Sequence, residues 1–230
     1  MSIRSNRLIV ALRNVTRPLG INKRLAHWFL PQQYEEKFNS RMLELVRVGD
    51  CIWDVGANAG YYSIEFADRV GESGEVVAFE PSPDNLEELR DAVGHRGNIT
   101  IMPIALGREA ATVCFRESQD GSGRTNHVVA DGHAEDTVNV EMLTGDLVLA
   151  DLCKSPCIIK IDTEGFELDV LQGMQHCLKR PELRAVCVEI HFRILNERGM
   201  SEAPGEIERM LKTAGFRCVW PDFSHIIAQR

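Results

Sequence analysis

Asp54, Glu80, Asp162, Glu164 and His191 stand at or just past the ends of short apolar runs in a chain of 230 residues. A carboxylate so placed can hold a cation or accept hydrogen bonds from hydroxyls, and a histidine there can take a proton near neutral pH. Asp54 opens the run Asp54-Val55-Gly56-Ala57-Asn58-Ala59-Gly60. Glycines at 56 and 60 allow a tight turn and a close approach of backbone to a ligand. The run is not a dinucleotide loop of the G-x-G-x-x-G kind, because Asn58 takes the middle glycine position and Tyr61 the last. Asp54 would repel a phosphate and would suit an ammonium group. Glu80 follows Gly60 by twenty residues, and a carboxylate there can accept both ribose hydroxyls of a nucleoside. A nucleoside with a positively charged amino-acid tail fits all three features, and S-adenosylmethionine is such a molecule.

The elements that must position these residues alternate. Cys51–Val55, Glu75–Phe79, Ile99–Pro103, Cys157–Ile161 and Arg184–Ile190 read as strands, each a largely apolar run. Between them lie helical stretches at Asn58–Val70, at Ser82–Val93 behind a capping serine and a proline, at Asp146–Cys153, at Phe166–Leu178 and at Ala203–Ala214. Ala111–Phe115 and Val138–Met142 are further short strands, and Arg217–Trp220 with His225–Ala228 form a terminal hairpin through Pro221-Asp222. The alternation predicts a doubly wound α/β sheet with parallel central strands, whose ligands bind outside the carboxyl ends. Residues 117–136 read as a long polar loop over the acceptor, with Arg124, His127 and His133 available to it.

Residues 1–48 lack strand signals and read as a helical extension or cap, with helices at Arg4–Val15 and Gln32–Val48; the domain proper is expected at 49–230. The extension is basic: residues 1–34 hold six Arg or Lys and no Asp or Glu. The net charge is −8, from 26 basic and 34 acidic residues, so the remainder stands at −14 (20 basic, 34 acidic). An acidic body argues against nucleic acid as partner. The seven cysteines sit mostly in apolar runs and read as buried thiols of a reducing cytosol; Cys153 and Cys157 lack the second pair that a zinc site needs. No apolar run reaches the roughly 18 residues of a membrane span, and the expected location is cytoplasmic.

Four blocks in order resemble the FkbM-type methyltransferases: Asp54 to Gly60, Ala78-Phe79-Glu80-Pro81, Ala105-Leu106-Gly107, and Ile159-Lys160-Ile161-Asp162-Thr163-Glu164-Gly165-Phe166-Glu167. The resemblance covers residues from about 50 to 192, and Leu143-Thr144-Gly145-Asp146 departs from it. It implies a Rossmann-like, mostly parallel seven-stranded sheet with its last strand antiparallel. It also implies O-methylation of a sugar, glycan or natural-product hydroxyl by S-adenosyl-L-methionine, with S-adenosyl-L-homocysteine as product. Asp54, Gly56 and Gly60 would then hold the methionine part and Glu80 the ribose. Pro81 and Ser82 would lie near the adenine, Asn58 and Ala105 would also contact the cofactor, and Asp162 would face the methionine tail and the transferring methyl.

His191 is the first choice of base, with Asp162 second and Glu164 beside them. No metal site is assigned; the alternative is a divalent cation held by Asp162, Glu164 and Glu189. Two other readings differ in class: a nicotinamide-dependent oxidoreductase, and a non-catalytic nucleoside-binding or interaction module on the same fold.

Overall fold

The computed structural model describes residues 33–116, 127–129, 137–152 and 154–230. The expected helix Arg4–Val15 and most of the 117–136 segment, with Arg124 and His133, lie outside the described residues. Helix α1 spans Gln33–Glu44, and β1 (Cys51–Val55), α2 (Tyr61–Val70), β2 (Glu75–Phe79), α3 (Pro83–Val93) and β3 (Ile99–Met102) follow. A second group comprises β4 (Ala105–Leu106), β5 (Ala111–Arg116), β6 (His127–Val129), β7 (Thr137–Leu143) and α4 (Gly145–Asp151). The chain ends with β8 (Ile158–Ile161), α5 (Glu167–Gln172), β9 (Ala185–Glu189), α6 (Phe192–Glu197), α7 (Ala203–Thr213), β10 (Arg217–Val219) and β11 (His225–Gln229).

All five residues of β1 and all four of β8 are buried, as strands covered on both faces must be. Side chains alternate between the two faces with the period of the pleat. Ile52, Val76, Ile158, Cys187 and Ile227 pack with Phe38, Met42, Phe66 and Val70 of α1 and α2. Trp53, Val77, Ile159, Val186 and Val188 face the other way, against Leu168 and Leu171 of α5 and Ile207 and Leu211 of α7. The ring of Phe38 also stacks on His225 at 4.0 Å. Helix α1, expected as part of an extension, thus shares the core of the sheet.

The main sheet has the order β10-β11-β9-β8-β1-β2-β3. Pairing is parallel from β3 to β9, and β11 runs antiparallel to both β9 and β10. Strand order therefore reverses between β1 and β8, and the cleft outside their carboxyl ends is the expected ligand position. The short strands β4, β7, β5 and β6 form a separate sheet.

Three sequence expectations are corrected. The 117–136 loop is interrupted by β6. The helix expected at 166–178 stops at Gln172, where a Cβ on Gly173 would lie 2.0 Å from the carbonyl oxygen of Gly107. Helix α6 was not foreseen. Among the described residues no helix is long and apolar enough to cross a membrane.

Candidate active site

The β1 side of the cleft is built around two buried carboxylates. Asp54 pairs in register with Ala78 of β2 and Lys160 of β8. It is wholly buried. The Ser63 hydroxyl donates to its Oδ2 at 2.6 Å, and Lys160 Nζ lies 3.2 Å from its Oδ1. Neighbouring strands and α2 enclose Asp54, so its charge is met inside the protein by Lys160 and Ser63. Lys160 also donates to the carbonyl of Gly56 at 3.1 Å and lies 3.5 Å from Asp162. Burial works against its charge, but Asp54 and Asp162 outweigh that and hold the ammonium protonated above its ordinary range. One side chain thus ties together the end of β1, the following loop and the end of β8.

The loop itself is shaped by close approach. Gly56 has φ +80°, and a Cβ there would fall 1.9 Å from the carbonyl oxygen of Asp162. The N–H groups of Gly56 and Ala57 both donate to Phe79 O at 3.0 Å. Asn58 adopts φ +51° and donates its N–H to Glu80 Oε2 at 2.7 Å. Gly60 has φ +87°, and a Cβ there would meet Leu89 of α3 at 2.6 Å.

Glu80, 3% exposed, also accepts the Ser82 N–H at 2.9 Å and Asn85 Nδ2 at 3.2 Å on Oε1. Burial raises its pKa against the pull of these donors. Ser82 is buried and its hydroxyl oxygen caps α3, while Pro81 is partly exposed. Ala105 is not brought into this set; it is buried in the second sheet with Val140 and Met142.

The β8–β9 side is different in kind. Ile161 pairs with Val188, so the residues that follow emerge side by side. His191 Nε2 lies 3.6 Å from Asp162 Oδ1, 3.4 Å from Glu164 Oε2 and 4.0 Å from Glu189 Oε1. Its Nδ1 donates to Glu167 Oε1 at 2.7 Å, and that same oxygen accepts the N–H of Gly165 at 2.8 Å. Asp162 and Glu164 each keep 27% of their side-chain surface exposed and His191 keeps 16%.

Burial opposes a charge on His191, yet the hydrogen bond to Glu167 and the charges of Asp162 and Glu164 raise it to about 10. The sequence reading assumed an imidazole titrating near neutrality; this pocket holds it protonated there. Burial raises Glu164 to about 7, with Asp162 and Glu189 adding to the shift against His191. Asp162 is raised by burial and by Glu189, against the pull of Lys160. Glu164 holds φ +49° at the turn into α5, a rare conformation for a side chain of its size.

Three contributors were not singled out from sequence. Lys160 had only a place in a motif, although a lysine inside Ile158-Ile159-Lys160-Ile161 signals a buried charge seeking partners. Glu167, wholly buried, orients His191. His225, held by Asp222 at 2.8 Å, reaches Glu189 at 3.6 Å.

A seven-stranded sheet in this order, with one antiparallel strand and a cleft at its switch point, defines a class I methyltransferase fold. Comparison with known proteins carries this to the family. Residues 54–218 match the methyltransferase FkbM domain, and the chain belongs to that family. It is 31% identical over 153 residues to the hexuronic acid methyltransferase AglP of Haloferax volcanii, covering 65% of this chain and 59% of that one. It is 28% identical over 221 residues to the 31-O-demethyl-FK506 methyltransferase FkbM of Streptomyces tacrolimicus, covering 81% of each. Among solved structures, the methyltransferase FkbM of Methylobacillus flagellatus superposes with a TM-score of 0.54 at 15% identity, over 79% of this chain and 44% of that one. The chain thus spans under two thirds of the archaeal relative and under half of that solved structure.

Proposed function

We propose that this protein transfers the methyl group of S-adenosyl-L-methionine to a hydroxyl of a sugar, glycan or natural product. The observation that carries the reading is the state of the Gly56–Gly60 loop. In a dinucleotide site such a loop turns its N–H groups toward a pyrophosphate. Here the Asn58 N–H is committed to Glu80, and the Gly56 and Ala57 N–H groups to Phe79. This disfavours a nicotinamide cofactor. An ionised carboxylate accepts about four hydrogen bonds, and Glu80 takes three from protein donors, leaving one position for a ribose hydroxyl. Family membership supports the same cofactor, and the names of the two relatives support a hydroxylated acceptor.

In the transfer, a lone pair of the acceptor oxygen attacks the methyl carbon in line with the sulfur. The O–C bond forms, the C–S bond breaks, and its electron pair neutralises the sulfonium. The hydroxyl proton leaves toward the carboxylates at the ends of β8 and β9, Glu164 foremost, which burial raises to about 7, while the protonated His191 holds those carboxylates together. Holding the two reactants in line supplies about 7–11 kcal/mol of the barrier. Asp162, at the end of β8, would face the methionine tail of the bound cofactor, where its charge would favour the sulfonium.

The test is calorimetric titration with S-adenosylhomocysteine, followed by transfer of labelled methyl to uronic acid glycosides and to polyhydroxylated macrocycles. One site per chain and labelled product are expected. Binding without transfer to any hydroxyl would favour the non-catalytic binding module, and no binding would remove the methyltransferase reading.

A further inference from the structure

We propose that Asp162, Glu189 and His191 bind a divalent cation of the manganese class, open on one side to the acceptor hydroxyl. The role rests on the methyltransferase reading; the site rests on geometry alone. One ligand atom from each residue lies within 4.8 Å of the other two, the one such group among the described residues. Oxygen and nitrogen ligands around a common ion sit roughly 3 Å apart, given bond lengths of about 2.1–2.3 Å, so modest side-chain rotations close the site. Neighbouring strands fix the spacing, since ends of parallel strands lie about 5 Å apart.

The surroundings are those of a ligand set rather than a plain acidic patch. A metal-binding imidazole has its second nitrogen held by a carboxylate or carbonyl, which turns the first toward the ion. Glu167 holds Nδ1 of His191 in that way, leaving Nε2 to face the three carboxylates, and an ion bound there would displace the proton that Nε2 otherwise carries. Glu189 has an outer partner too, in His225, itself held by Asp222. Glu167 is fully buried and its Oε2 has no hydrogen-bond partner, so a buried acidic oxygen stands behind the site without a compensating donor. Lys160, the ammonium at hand, is shared between Asp54 and Asp162.

Two carboxylates suit the hard cations, manganese among them, and the imidazole moves the preference away from magnesium toward the first-row ions. Partial exposure of Asp162 and Glu189 leaves positions for water or a hydroxyl. An ion there polarises the acceptor oxygen and eases loss of its proton. Glu164, at 3.4 Å from His191 and outside the ligand set, stands ready to receive that proton.

The experiment uses the full chain, stripped with a chelator and titrated with manganese(II) chloride, while the electron paramagnetic resonance signal of the free ion is followed. One ion per chain is expected to leave the free pool. Glu189→Gln and Asp162→Asn, each shown folded by its thermal melt, are expected to weaken uptake at least about tenfold, and Glu167→Gln by about 10–100-fold. An unchanged free signal up to millimolar ion would overturn the site and leave a self-contained ion-pair network around His191. Uptake indifferent to both ligand variants would overturn it as well. S-adenosylhomocysteine is titrated in parallel into the metal-free protein. Cofactor binding without metal uptake removes the cation and spares the methyltransferase reading. Metal uptake without cofactor binding supports the site and removes its catalytic role.

Discussion

The two halves of the cleft meet at Lys160 and are built on opposite plans. On the β1–β2 side the buried carboxylates Asp54 and Glu80 are matched by internal donors: a hydroxyl, an ammonium, two backbone N–H groups and an amide. Little there moves without breaking a hydrogen bond. On the β8–β9 side, Asp162, Glu164 and Glu189 crowd one imidazole, and all remain partly open. On the proposed reading the first half is a pre-formed mould for a neutral ribose hydroxyl. The second leaves charge for something from outside to match. A cofactor common to many reactions can be met by a finished surface; an acceptor that must lose a proton needs groups whose charge can change.

That contrast can be broken by substitution. His191→Ala removes the cation to which the acceptor-side carboxylates all point, and turnover is expected to fall by about 10²–10³-fold, the scale for losing one preorganised charge at a reacting centre. Steady-state kinetics with whichever acceptor the labelled-methyl screen yields measures this, and a loss of only a few-fold would detach His191 from the chemistry.

Lys160→Met strips the ammonium shared by the halves and leaves Asp54 buried without its partner. Removal of one member of a buried pair costs about 3–5 kcal/mol, read as a lower urea midpoint. Adding Asp54→Asn is expected to restore part of the loss. A Lys160→Met protein as stable as the parent would show that the halves do not depend on their shared ammonium.

A smaller effect sharpens the comparison by lying outside both halves. Burial first, with nearby acidic groups at Cys51 and Cys177, pushes the thiols of Cys51, Cys177 and Cys187 from 9.0 to about 12. Between those values the unfolded chain gives up thiol protons that the folded chain keeps. Their contribution to stability is therefore complete below pH 9 and falls as pH rises toward 12. Denaturation midpoints followed across that range should decline, and less steeply in Cys187→Ala. Equal slopes would contradict the assignment.

Much of this was legible in the sequence, for identifiable reasons. Strands β1, β8 and β9 are buried on both faces, so they read as apolar runs interrupted only by Asp54, Lys160 and Glu189. Ser82-Pro83 marks the start of α3, and the twenty-residue step from Gly60 to Glu80 follows from the strand–helix–strand unit. The meeting of Asp162 with His191 followed from parallel pairing of two strands ending together. What escaped depended on contacts between distant residues. Gly107 follows Ala105 in one of the family blocks, and a Cβ on it would strike Met142 Sδ at 2.4 Å while its carbonyl fits against Gly173, so this glycine serves packing between the second sheet and the end of α5. Helix α6 has six residues, too few to show a period. The proton on His191 depends on Glu167, twenty-four residues away in sequence, and no local pattern announces it.

The division of labour between the halves is tested most directly by titrating S-adenosylhomocysteine into three proteins: the parent, Glu80→Ala and His191→Ala. Loss of a hydrogen bond to a charged group costs about 1–3 kcal/mol, so Glu80→Ala is expected to bind about 5–150-fold more weakly, with one site per chain kept. His191→Ala is expected to bind as the parent does. Equal affinity in Glu80→Ala and the parent, or equal losses in both variants, would contradict a cofactor half separate from an acceptor half.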